Sequence, residues 1–70
     1  MLMEKMKSSN IESAGWENGS LQVRFKNGGT YVYGGVPEEV WTKFQKAESA
    51  GAFLAKVIIP GYRASKVGAA

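Results

Sequence analysis

The chain has no cysteine and no histidine. The first absence excludes any disulfide. The two together remove the commonest zinc ligands, and without histidine no Ser-His-Asp type of nucleophilic triad can form. Nowhere do apolar residues continue for the ~20 positions a membrane span needs. The N-terminal run Met1-Leu2-Met3-Glu4-Lys5-Met6-Lys7 lacks the continuous apolar stretch of a signal peptide. A soluble, cytoplasmic protein without metal or cofactor is the expectation. Proline is scarce, with two in the chain, Pro37 and Pro60, and each falls where an element starts or stops.

Seventy residues make one domain. A domain of that size buries only about 60% of the surface its unfolded chain exposes. With disulfides excluded, stability has to come from packing, or from self-association as the other remedy open to small domains. Three Phe, two Trp and three Tyr are enough for a compact core. Nine Lys/Arg against six Glu give a net charge of +3. That mild excess suits nucleic acid or an acidic partner, and equally an ordinary solvated surface. A dedicated non-specific nucleic-acid binder carries a denser basic stripe.

Residues 1–8 read as a flexible leader and 63–70 as a flexible tail around a single domain over 9–62. A first strand spans Ile11 to Glu17. Asn18-Gly19 then forms a two-residue hairpin, because both positions tolerate positive φ. Across that turn Trp16 pairs with Leu21 and Ala14 with Val23, all on one face. Along the next strand Leu21, Val23 and Phe25 alternate with Ser20, Gln22, Arg24 and Lys26. The second turn lies in Asn27-Gly28-Gly29, and its length decides where the tyrosines go. A two-residue loop puts Tyr31 and Tyr33 on the face of Arg24, an exposed aromatic and basic platform. A three-residue loop sets Phe25 opposite Tyr31 and Val23 opposite Tyr33, and sends both tyrosines to the core. Gly29 suits the left-handed bulge position of the longer loop, which favours that second arrangement.

Pro37 fits the first turn of a helix, where its missing N–H costs nothing. The helix should reach Ala47, with Val40, Trp41, Phe44 and Ala47 on one stripe. Glu38 and Glu39 sit at its positive end and Lys43 and Lys46 at its negative end, the order the macrodipole favours. Ser49 caps a second helix. Phe53, Leu54, Val57 and Ile58 line it, and Pro60-Gly61 ends it. The expected architecture is α+β: a three-stranded antiparallel meander packed against two C-terminal helices. Its expected core is Trp16, Leu21, Val23, Phe25, Val40, Phe44, Phe53, Leu54 and Ile58.

The ordered series Ser8-Ser9-x-Ile11, Gly15-Trp16, Leu21-x-Val23-x-Phe25, Gly29-x-Tyr31-x-Tyr33-x-Gly35-Val36-Pro37, Ala47-x-Ser49-x-Gly51-x-Phe53 and Ile58-x-x-x-Tyr62 resembles the KTSC domain. That short domain is named after the C-terminus of some lysyl-tRNA synthetases and also occurs as stand-alone bacterial and phage proteins. Company with a tRNA-handling enzyme implies RNA binding, by association rather than by site chemistry. The chain departs from the family pattern twice. Ala55 stands where asparagine is usual, and Ile59 where arginine or lysine is usual. Both weaken any inherited anion site, and the exposed apolar residue suggests a subunit contact instead.

No constellation here dictates a reaction. The glutamates are scattered or adjacent on one helix, where neighbours do not face each other, so an enzyme is not expected. The leading reading is a small binding module for RNA or a nucleotide. Tyr31 and Tyr33 would stack bases, and Arg24, Lys26 and Arg63 would meet phosphates. Against it stands the plainer reading of packed tyrosines and a solvated polar face. The alternative function is a self-associating protein using Val57 and Ile59. In a phage-encoded form, the resemblance implies, such a homo-oligomer would act as a sponge that sequesters a nucleotide signal in host defence.

Overall fold

The structure, a computed structural model, describes residues 2–69. The strands are β1 (Glu4–Lys5), β2 (Ile11–Glu17), β3 (Ser20–Phe25), β4 (Gly29–Tyr33) and β5 (Ala64–Ala69). Between β4 and β5 lie α1 (Glu38–Lys46) and a second helical stretch. That stretch is built of α2 (Ala50–Phe53), a π-helical segment (Leu54–Ile58) and α3 (Ile59–Gly61). The five strands form one sheet in chain order, every neighbouring pair antiparallel. No helix among the described residues is long and apolar enough to cross a membrane.

The expected three-stranded meander is therefore the centre of a five-stranded sheet, and the helices are followed by β5 rather than ending the fold. Both extra strands come from the segments read as leader and tail. Neither carries an apolar alternation. Backbone pairing holds them: Glu4 opposite Ala14, Lys5 opposite Ser13, Ala64 opposite Tyr33 and Lys66 opposite Tyr31. Gln45 Nε2 also donates to Glu4 Oε2 at 3.1 Å, tying β1 to α1.

The first hairpin turns as its sequence demands. Asn18 and Gly19 have φ of 49° and 84°, Trp16 pairs with Leu21, and Ala14 pairs with Val23. Further along β2 the register shifts between Ile11 and Ser13, a bulge that lets both Ile11 and Ala14 be fully buried. The second turn has three residues, Lys26 to Gly28, and places Leu21 opposite Tyr33 and Val23 opposite Tyr31. This is two residues away from the expected register, so the tyrosines keep their expected face but change partners. Gly28, with φ of 100°, takes the left-handed position expected for Gly29.

Pro37 proves to be the extended N-cap of α1. Ser49 caps α2 by accepting the Ala52 N–H at 3.2 Å. The helices cover one face of the sheet. Ile11, Ala14, Leu21, Val23, Tyr33, Val36, Trp41, Phe44, Ala50, Leu54 and Ile58 form the buried core. Trp16, Phe25, Val40 and Phe53, expected inside, lie at its rim. The Trp16 indole donates to the Val36 carbonyl at 2.7 Å, pinning the glycine-rich link between β4 and α1. In the π-helical segment the Ile59 N–H reaches back five residues to the Leu54 carbonyl. That wider turn keeps Leu54 and Ile58 inside and turns Val57, expected on the apolar stripe, toward solvent.

Candidate functional site

The alternation of β3 and β4 sorts the expected site residues onto two faces. Tyr31 and Tyr33 share the helix-covered face with Val23 and Leu21. Arg24, paired with Thr30 and Ser13, faces the other way. There its guanidinium lies 3.8 Å from the Glu12 carboxylate, both side chains about half exposed. Lys26 is on that uncovered side too, beside Met3, Lys5, Glu12 and Ser13 around an open depression. No platform joins the tyrosines to Arg24 and Lys26. Arg63 is exposed and stands three residues before Lys66, about 10 Å along the strand at ~3.3 Å per residue.

The two tyrosines also differ from each other. Tyr33 is 4% exposed and belongs to the core. Burial, and secondarily the neighbouring Tyr31, pushes its hydroxyl above the ordinary phenol range. Because the folded value exceeds the unfolded one, the neutral ring contributes stability that is complete below about pH 10 and is lost as pH climbs through the raised value. Stability measured by urea unfolding is expected to fall above pH 10, and Tyr33→Phe to flatten that fall. An unchanged alkaline slope in the phenylalanine variant would place the titration elsewhere.

Tyr31 is half-buried. Phe25 packs edge-on against it, with ring centroids 5.7 Å apart and planes at 78°. Together with Asn27, Gly29 and Lys66 these rings line a pocket of about 400 Å³. The loop that forms its wall is fixed locally. Asn27 Oδ1 accepts the Gly29 N–H at 3.2 Å, and the Gly28 N–H donates to the Phe25 carbonyl at 3.0 Å. A β-carbon at Gly29 would stand 3.3 Å from Tyr31 Cε1, so the Tyr31 ring would have to shift by a few tenths of an ångström to admit one. Lys66 comes from β5, directly opposite Tyr31. The pocket thus presents an aromatic wall, an amide-bearing loop and one ammonium group. That combination can hold a flat, partly apolar ring carrying an anionic substituent.

Lys66 and Asn27 were outside the residues singled out from sequence. Lys66 sits in a segment whose small side chains give no periodicity, and Asn27 reads as turn chemistry alone. The expected contact residues Val57 and Ile59 are 39% and 54% exposed, on the outer side of the second helical stretch.

A five-stranded antiparallel meander with two helical segments packed on one face defines a small α+β domain. The comparisons make it specific: the KTSC domain family matches residues 7–62, and this chain belongs to that family. A relative from Tsukamurella paurometabola is 41% identical over 64 residues, covering 89% of this chain and 96% of its own length. The crystal structure of a KTSC domain protein from Yersinia pestis superposes with a TM-score of 0.91 at 36% identity, covering 96% of this chain and 97% of that one.

Proposed function

We propose that this chain is a non-catalytic binding module whose pocket between Tyr31 and Lys66 holds a nucleotide, free or as an unstacked base of single-stranded RNA. The observation that carries this reading is the cross-strand pairing of Tyr31 with Lys66 beside the Phe25 ring. The tyrosine ring offers a stacking surface for a base, and the ammonium lies where the attached phosphate would reach it. Of the residues that the sequence suggests for this role, Tyr31 lines the pocket. Tyr33 supports from the core, while Arg24, Lys26 and Arg63 stand away from the pocket. Titration calorimetry with a nucleoside monophosphate and with a short single-stranded RNA tests the reading. Binding that weakens with added salt supports it, since each phosphate contact releases counterions. No heat with either ligand at low salt would refute it.

The exposure of Ile59 and Val57 favours a second reading, self-association through the outer surface of the second helical stretch. There a sponge-like protein would enclose its nucleotide between subunits. On that reading Ile59→Arg is expected to weaken homo-oligomerisation by about tenfold or more, the scale of one apolar anchor replaced by a buried unpaired charge. Sedimentation velocity at several concentrations measures it. An assembly that persists unchanged removes Ile59 from the contact.

A further inference from the structure

We infer that two copies of this chain pair edge to edge through β5, antiparallel, about a twofold axis at Ser65. The argument starts from the backbone. β5 pairs with β4 as Ala64 opposite Tyr33, Ser65 opposite Val32 and Lys66 opposite Tyr31. One residue earlier, the Gly34 N–H donates to the Arg63 carbonyl at 3.2 Å. In an antiparallel ladder, residues that bond to the neighbouring strand alternate with residues whose N–H and C=O point the other way. Arg63 and Ser65 therefore bond inward to β4. Ala64 and Lys66 turn both of their backbone groups to the free edge, where β5 is the last strand of the sheet. Side chains from Arg63 to Val67 are all exposed. The opposite edge is β1, only two residues long.

Such an edge is a template for another strand, and this one is complementary to itself. With the axis at Ser65, Ala64 of one copy exchanges both bonds with Lys66 of the other, and Lys66 with Ala64. Every outward group of the two residues is then used. In this register Lys66 lies directly beside an alanine. Arg63 meets Val67, 45% exposed, next to the irregularity where the β4–β5 register shifts. An axis at Lys66 would set that lysine against its own copy. An axis at Ala64 would bring Lys66 against Tyr62, outside the strand. A twofold interface of this kind closes after two subunits.

The pairing also bears on the pocket, a consequence that rests on the nucleotide reading. Lys66 of one copy becomes the diagonal neighbour of Lys66 of the other, about 7–8 Å away across the new seam. Two Tyr31 pockets then open side by side, with both ammonium groups in reach of one ligand carrying two anionic groups.

Ser65→Cys in the full-length chain tests the pairing without any ligand. The protein has no cysteine of its own, so the new thiol is alone. On the axis it meets its copy in a non-hydrogen-bonded pair with Cα atoms about 4.5 Å apart, within disulfide range. Under oxidised glutathione, Ser65→Cys is expected to form a covalent dimer at least about tenfold faster than a Glu39→Cys control on exposed α1. The unmodified protein is expected to sediment as a dimer as its concentration rises. Three results would each overturn the inference: cross-linking at the control rate, a monomer at every concentration, or faster cross-linking in Ile59→Cys, which would move the contact to the helices. Failure of nucleotide binding leaves this measurement untouched, so the two readings fail separately.

Discussion

Replacing Phe44 with alanine is expected to lower the unfolding free energy by about 3–5 kcal/mol. A domain of this length has in total only roughly 0.05–0.15 kcal/mol per residue, about 3.5–10.5 kcal/mol, so the loss removes a large fraction of the whole stability. Phe44 is fully buried and joins the two helical segments to each other. Its ring lies 6.1 Å from that of Trp41 on its own helix and 5.9 Å from that of Phe53 on α2. Removing it opens a void that the sheet beneath cannot fill, because Leu21 and Val23 are held by the ladder on both sides. The loss weighs more here because no disulfide adds to the stability it is taken from. Phe44→Leu keeps most of the volume and should cost under about 1.5 kcal/mol. Val40→Ala, at the rim of the core, should cost less than Phe44→Ala. Urea unfolding of the three variants gives the order, and a Phe44→Ala loss no larger than that of Val40→Ala would show that the helices are not anchored through this ring.

The parts of the fold that were legible in the sequence are those where one residue type meets one backbone demand. Asn18-Gly19 has to be a tight hairpin turn because both positions take positive φ. Ser49 has to cap, because its hydroxyl can accept a free helical N–H. The second hairpin shows the limit of such reasoning. Gly28 and Gly29 both satisfy a left-handed position, so the sequence does not choose between two registers that differ by two residues. Two residues is also the period of a strand, which is why the face of Tyr31 and Tyr33 was readable while their partners were not. The π-helical turn was not readable for a related reason. A stripe at α-helical spacing assigns Val57 to the core, whereas the wider turn at Leu54–Ile58 rotates it out.

The edge strands were illegible for a different reason. Glu4–Lys5 is too short to show a period, and in Ala64-Ser65-Lys66-Val67 the side chains are too small and mixed to show one. Backbone hydrogen bonds hold both, and those are the same for every residue except proline. The candidate pocket inherits this blindness. Its aromatic wall came from strands whose alternation is plain, but its cation came from the strand that had none. Tyrosines and cations were therefore expected together on β3 and β4, where the parity of the strand in fact separates Tyr31 from Arg24.

That separation makes Tyr31 the decisive residue for binding. Tyr31→Ala is expected to weaken binding of a nucleoside monophosphate or a short single-stranded RNA by roughly 5- to 150-fold, the ~1–3 kcal/mol of one base–aromatic stack. Tyr31→Phe should stay close to the parent, since the ring rather than the hydroxyl forms the stacking surface. Lys66→Ala should act differently, lowering the slope of log affinity against log salt for single-stranded RNA by about 0.7, one phosphate's worth. Arg24→Ala on the opposite face, already engaged with Glu12, should change neither quantity much. The alanine at position 31 also removes the edge-on contact with Phe25, about 0.5–1.5 kcal/mol of stability, so binding has to be measured well below the melting temperature of each variant. If Arg24→Ala abolishes binding while Tyr31→Ala spares it, the ligand lies on the uncovered face of the sheet with Lys5 and Lys26, and the pocket is packing alone. If Tyr31→Ala and Lys66→Ala each weaken binding and differ in their salt dependence, ring and ammonium act as two separate contacts on one ligand, as their cross-strand placement requires.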